Sequence, residues 1–238
     1  MTVDIIGEAI LDYQSGQHTE DIKTFSSLDE EDVIPVSYLF RNYAIMPELE
    51  QKALQLCTGS VLDIGCGAGS HSLYLQEKGH RVTALDYSEG AIKACKKRGL
   101  INTICADIYD LKDQKFDTLL LLMNGIGIVG QLDRLDAFFT HLKSLLNPNG
   151  KIILDSSDII YMFENDTDDS YWIPDHTTYY GEVSFQMEYK GKKSIKFDWL
   201  YIDYNTLQRA ALTNNLDCKL VSEGKHYDYL VELKLLSQ

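Results

Sequence analysis

Three glycines on alternate positions, Gly65, Gly67 and Gly69, follow the apolar run Val61-Leu62-Asp63-Ile64 and are the residues best suited to ligand chemistry in this chain. A backbone without side chains comes close to a ligand and takes positive φ. A turn of this kind at the carboxyl end of a parallel strand is where open α/β sheets bind ligands. Two more carboxylates, Asp86 and Asp107, follow at about one strand–helix unit each. An acid about 20 positions after a glycine turn, at the end of the second strand, is placed to accept hydrogen bonds from ribose hydroxyls, and Asp86 fits. Dinucleotide enzymes share that feature, but their G-x-G-x-x-G spacing requires glycine at position 70, which is Ser70. Asp63 also stands where those enzymes hold an apolar residue, and a carboxylate there suits a ligand with an ammonium group better than a pyrophosphate.

The other reactive side chains read more plainly. Cys66 has no basic neighbour in sequence and is expected to be a small filler, and His71 a positional residue at a helix start. Cys57, Cys66, Cys95, Cys105 and Cys218 show no metal-ligand spacing, and the six histidines show no HExxH pattern, so no metal site is expected. An odd cysteine count and the absence of a secretory leader in the first ten residues point to free thiols in the cytoplasm. The net charge of −14 repels phosphates and argues against nucleic acid as a partner. Lys93, Lys96, Lys97 and Arg98 are expected to be a solvated last turn of a helix. The apolar run from residue 118 is too short for a membrane span.

These residues need a regular alternation to position them, and the sequence supplies one. Strands are expected at 60–64, 81–85, 100–105, 116–123 and 151–154, with helices at 70–78, 88–98 and 132–146. Strands alternating with helices imply a parallel sheet covered on both faces. A helix is expected at 205–213, and two antiparallel pairs at 182–189 with 194–202 and 216–223 with 229–236. Residues 36–56 read as helical. The first 32 residues carry nine acids against one lysine and are expected to be a solvated acidic arm, the alternative being a cap. From 152 to 189 there is no lysine or arginine, but nine acids and eight aromatics. Tyr161, Phe163, Tyr171, Trp172, Tyr179 and Tyr180 are expected on the inner face of a hairpin, with Asp166, Asp168 and Asp169 solvated. The competing reading is a cover for a cationic acceptor.

The glycine turn, Asp86 and the Ala106-Asp107-Ile108 triplet together resemble the class I S-adenosylmethionine-dependent methyltransferases, over roughly residue 49 to the C-terminus. The resemblance implies an α/β, three-layer Rossmann-like sandwich with a mostly parallel seven-stranded sheet in the order 3-2-1-4-5-7-6 and an antiparallel hairpin insertion. It implies one domain over residues 1–238, with 1–48 as an N-terminal arm or cap and 156–204 as the inserted hairpin. The implied cofactor is S-adenosyl-L-methionine. Gly65, Cys66, Gly67 and Gly69 would lie against its methionine and ribose, Asp63 would support its amino group, and Asp86 would bind the ribose hydroxyls with Tyr87 near the adenine. Asp107 would take the adenine amino group and Ile108 a ring nitrogen, Met123 and Asn124 would face the methyl donor, and Arg41 and Tyr38 would contact the carboxylate or cover it. The implied acceptor is a small molecule, and Asn124-Gly125 departs from the Asn-Pro-Pro-Tyr type of motif, which argues against the DNA-adenine and glutamine methyltransferase subclasses. A cofactor-binding protein without transfer activity and a nucleotide-dependent oxidoreductase remain alternatives. No residue is assigned as a catalytic base.

Overall fold

A computed structural model describes residues 3–163, 171, 173 and 179–236. In chain order the elements are α1 (Ile5–Gln14), β1 (Ile22–Ser26), β2 (Glu31–Ile34), α2 (Val36–Leu39), α3 (Glu48–Leu56), β3 (Ser60–Ile64), α4 (Ser70–Glu77), β4 (Arg81–Asp86), α5 (Glu89–Lys97) and β5 (Thr103–Cys105). They continue with β6 (Phe116–Leu121), α6 (Leu135–Ser144), β7 (Leu146–Ser157), β8 (Glu182–Tyr189), β9 (Lys192–Lys193), β10 (Phe197–Leu200), α7 (Tyr204–Thr213), β11 (Leu216–Glu223) and β12 (Asp228–Leu235). Helices stop where the sequence signals a stop: α4 runs into Gly79 and α5 into Gly99, both at positive φ.

The main sheet has the order β5-β4-β3-β6-β7-β12-β11, parallel except for β12, which is antiparallel to both neighbours. Numbered by its own strands in chain order, this is 3-2-1-4-5-7-6, as expected. Side chains alternate across it: Leu119 and Leu121 of β6 join the cluster under α6 and α7, while Leu120 joins the one under α3 and α4. A strand buried on both faces must be apolar throughout, and residues 119–121 are fully buried. The strand order reverses between β3 and β6, so their carboxyl ends open a crevice at the switch point.

A second sheet, β10-β8-β1-β2 with β9 paired to β8, changes two expectations. The first residues are not a solvated arm. Ile5, Ala9 and Ile10 form a buried stripe on α1, and β1 lies between β2 and β8. The acids that suggested an arm have partners: Asp12 pairs with Lys190 at 2.6 Å and Glu8 with Lys192 at 2.7 Å, both from the β8–β10 turn. Asp4 caps α1 through the Gly7 N–H and also accepts from Ser88 Oγ and the Gly90 N–H at the start of α5. The helices meet at Gly7 and Gly90, where a Cβ on Gly90 would lie 2.4 Å from the Gly7 backbone. The insertion is therefore a hairpin extended by the N-terminal strands, and not a free-standing hairpin. The helical reading of 36–56 is also corrected: Asn42 and Pro47 interrupt it, leaving α2, a 3₁₀ turn at Tyr43–Ile45, and α3. β7 begins earlier than 151, because the chain pairs with Phe116 at Leu146 and again with Thr118 at Lys151, bulging between them.

Trp172, Asp166, Asp168 and Asp169 lie outside the described residues. No helix among the described residues is long and apolar enough to cross a membrane.

Candidate functional site

The glycine turn leaves β3 with the N–H groups of Gly65 and Cys66 both donating to Leu85 O of β4, at 2.9 and 3.0 Å. Gly65, Gly67 and Gly69 all take positive φ, at 74°, 53° and 82°. They nevertheless serve two purposes. A Cβ at Gly65 or Gly67 would meet no atom within 4 Å, so these two turn a bare backbone towards open space. A Cβ at Gly69 would lie 2.7 Å from Leu100 Cδ1 and 2.8 Å from Cys95 Sγ, so this one is a packing glycine. Cys66 points into the same packing, with its Sγ 3.9 Å from Cys95 Sγ. The hydrogen bond to Cys95, and then burial, hold its thiol well above the usual range, so it is inert as a nucleophile and offers the site only backbone.

Asp86 ends β4 and braces this turn. Its Oδ2 accepts from the Gly67 N–H and its Oδ1 from the Ser88 N–H, both at 2.9 Å. Burial lifts its carboxyl above the ordinary range against these two donors. Each oxygen keeps lone-pair capacity for a hydroxyl ligand. Tyr87 beside it is 75% exposed, a ring available to lie against a flat group. Asp107 is exposed at the next strand end and caps a 3₁₀ turn through the Tyr109 N–H, with Ile108 buried behind it. Asp63 faces inward: it is buried, accepts from Ser72 Oγ at 2.6 Å, and is lifted by burial despite His71 and Ser72. Its immediate partner is α4.

Residues 36–45 strap the mouth of the crevice. Leu39 O accepts from Ser70 Oγ at 2.7 Å, so Ser70, the residue that breaks the dinucleotide spacing, anchors this strap. Arg41 is buried and forks onto Glu50 of α3, and His71 Nε2 lies 2.8 Å from the same carboxylate. Burial alone would raise Glu50; His71 and Arg41 outweigh it and hold the carboxyl below its usual range. Arg41, expected to contact the ligand carboxylate or to cover it, has its guanidinium on Glu50 and Tyr38 O. It stacks 3.9 Å above the Tyr38 ring, which stays 39% exposed. The glycine turn, Arg41 and Tyr38, far apart in sequence, thus meet through Ser70, His71 and Glu50.

The β6 exit completes the crevice. Met123 and Asn124 both take left-handed φ, at 66° and 55°. Sequence reasoning missed their partner, Asp155, which accepts from the Met123 N–H at 3.1 Å and the Gly125 N–H at 3.0 Å. The signal was there: an acid closing the apolar run Ile152-Ile153-Leu154, as Asp86 closes its strand. Burial pushes this carboxyl up to about 6, against the backbone donors of residues 123–125. In the insertion, Tyr179 OH donates to Asp203 and Tyr180 OH to Asp158, and Tyr161 stacks on Tyr227 at 5.1 Å, so these rings have partners within the chain. Trp199 covers the β6 exit so closely that a Cβ on Gly127 would lie 2.1 Å from its Nε1.

A family described as a methyltransferase domain matches residues 61–150, the segment from the glycine turn through α6. A crystallised S-adenosylmethionine-dependent methyltransferase from Bacteroides fragilis, in complex with S-adenosyl-L-homocysteine, is 42% identical, with a TM-score of 0.92, covering 100% of this chain and 98% of its own. Shorter matches are to the cypemycin N-terminal methyltransferase of a Streptomyces species, 31% identical over 42% of each chain, and to the 2-heptyl-1-hydroxyquinolin-4(1H)-one methyltransferase of Mycobacteroides abscessus, 38% identical over 26% of this chain and 31% of the other. The match thus spans less than half the length of these two curated relatives. With the switch-point crevice, the glycine turn braced by Asp86, and identity of 42% along essentially the whole of both chains, this protein belongs to the S-adenosylmethionine-dependent methyltransferase family.

Proposed function

We propose that this chain transfers the methyl group of S-adenosyl-L-methionine to a small organic acceptor by in-line displacement. The observation that carries the reading is the pair Gly65 and Gly67, whose Cβ positions open onto free space beside the Asp86 carboxylate. That cradle fits a nucleoside joined to an amino-acid chain: bare backbone for close approach, and a carboxylate with spare lone pairs for two hydroxyls. When bound, the cofactor supplies a methyl group already activated on a sulfonium. The chain's own part is then to bind, align and exclude water, and alignment of this kind is worth up to about 7–11 kcal/mol.

In this reading Gly65 and Gly67 take the backbone contacts, Asp86 the ribose hydroxyls, Tyr87 the adenine face, and Asp107 with Ile108 the adenine edge. Met123 and Asn124 form the wall at the methyl donor. Tyr38 covers the methionine end, held in place by Arg41, while Asp63 acts through Ser72 and α4. The second sheet, with the 156–204 insertion, serves as the cover on the acceptor side, since Trp199 of β10 packs on the β6 exit. The name of one relative, a hydroxyquinolinone methyltransferase, supports a small organic acceptor, while the other is named for an N-terminal acceptor. The net charge of −14 weighs against nucleic acid.

The test is calorimetric titration with S-adenosylhomocysteine, followed by methyl transfer to a panel of small amines, phenols and carboxylic acids. Micromolar binding and turnover of one acceptor class are expected. No binding at millimolar ligand overturns the donor site, and binding without turnover across the panel leaves a cofactor-binding protein.

A further inference from the structure

We propose that Asp155 is a positioning residue for the methyl donor: its carboxylate, bound to the N–H groups of residues 123–125, holds Met123 and Asn124 in the left-handed conformation that forms the donor's wall. This rests on the donor-site reading above and extends it to a residue outside the glycine turn.

Met123 and Asn124 are consecutive non-glycine residues at φ 66° and 55°. L-residues with a side chain visit this region singly and at a penalty, so two in succession must be held there. Asp155 does the holding. Oδ2 accepts from Met123 N–H, Oδ1 from Gly125 N–H, and the Asn124 N–H is also directed at this carboxylate. Successive N–H groups turned on one anion form a nest. The next residue of β7 adds a second tie, since Ser156 Oγ donates to Asn124 Oδ1 at 3.0 Å. Asn124 Nδ2 in turn donates to Leu200 O of β10 at 3.1 Å, fixing the loop to the second sheet.

The sheet itself does not need this brace. β6 and β7 are already paired in parallel register up to Leu121 and Leu154. Asp155 is held there against its own preference: burial pushes its carboxyl up to about 6, with Glu50 of α3 adding to the rise, and Tyr38 of α2 also faces it. A charge kept at such a position, beside two left-handed residues at the mouth of the crevice, marks a loop whose shape is used.

The experiment compares S-adenosylhomocysteine affinity and melting temperature for wild type, Asp155→Asn, Met123→Gly and the double variant. Asp155→Asn cannot accept from all the loop donors and should weaken binding about tenfold. In the Met123→Gly background, where positive φ is free, Asp155→Asn should cost only a small part of that factor, the single Met123→Gly variant accounting for the side chain taken from the wall. In wild type, affinity should fall as pH drops from about 7.5 to about 5.5, and less steeply in Met123→Gly and Asp155→Asn. A brace that served folding alone would move melting temperature and leave the affinity of the folded protein unchanged. Should Asp155→Asn not fold, the pH slopes of wild type and Met123→Gly decide. Wild-type affinity in Asp155→Asn, the full cost of Asp155→Asn in the Met123→Gly background, or equal pH slopes would overturn the proposal. Wild type failing to bind the ligand at all would instead overturn the donor-site reading.

Discussion

Gly65→Ala and Gly69→Ala add the same methyl group to the same turn, and the structure says they fail in different ways. Both residues have positive φ, so each alanine strains the backbone by about 1–2 kcal/mol. At Gly65 that is the whole effect on folding, because the new Cβ meets nothing within 4 Å. At Gly69 it would lie 2.7 Å from Leu100 Cδ1 and 2.8 Å from Cys95 Sγ, both in tight packing. Overpacking of that kind adds about 1–3 kcal/mol. For a chain of this length each kcal/mol moves the melting temperature by about 2–4 °C, giving losses of roughly 5 °C for Gly65→Ala and roughly 10 °C for Gly69→Ala. Binding should rank the other way. The Gly65→Ala methyl stands where the ligand approaches, and a steric penalty of about 1–3 kcal/mol corresponds to roughly a tenfold to hundredfold loss of affinity. Differential scanning fluorimetry and calorimetric titration with S-adenosylhomocysteine measure both quantities on the same samples. If Gly65→Ala binds as tightly as wild type, the open face of the turn is not where the ligand lies, and the assignment of the crevice fails with it.

Other changes report on the elements that support the site. Glu50→Ala leaves Arg41 buried without its carboxylate and should destabilise the fold by about 3–5 kcal/mol in urea unfolding; a loss below about 1 kcal/mol would show that the Arg41–Glu50–His71 cluster is not held as a unit. Leu120→Ala removes a fully buried side chain from the cluster under α3 and α4 and should lower stability by about 2–5 kcal/mol by the same method. The carboxyl of Asp155 rises in the folded state from an ordinary 3.8 to about 6, so its contribution to stability is complete below pH 3.8 and lost as pH climbs through about 6. That contribution is at most about 3 kcal/mol, and Asp155→Asn should flatten this part of the stability–pH curve. Glu50, held below its usual range, has the opposite sign: its contribution is present above the ordinary carboxyl range and lost as pH falls through its lowered value. An unchanged stability–pH curve in Asp155→Asn would show that this carboxyl titrates normally.

The main sheet was legible because each of its signals is local. Period-2 and period-3.6 patterns, glycine stops after α4 and α5, and the apolar run of β6 each depend on a few adjacent residues. The same holds for Gly65, Gly67, Asp86 and Asp107, whose spacing is fixed by the length of one strand–helix unit. The N-terminus misled for the complementary reason. By composition its acids read as solvated charge, whereas Asp12 and Glu8 find Lys190 and Lys192 some 180 positions away, and the stripe Ile5, Ala9 and Ile10 is shorter than the acids are numerous. Asp155 carries a local signal as an acid closing an apolar run, but its role is not legible, because its partners, the N–H groups of residues 123–125, carry no side-chain signature.

The sequence by itself determined the strands and helices of the main sheet, the position of the ligand turn and the carboxylates at its strand ends, since hydrophobic period and glycine spacing act over one or two elements; the order of the strands was legible only through the family resemblance. Tertiary structure alone decided that Gly69 packs while Gly65 and Gly67 open, that Arg41 is spent on Glu50, and that Asp155 holds the β6 exit. Those facts depend on which atoms lie within about 4 Å across distant parts of the chain, and contacts of that range are set by packing and not by any local pattern.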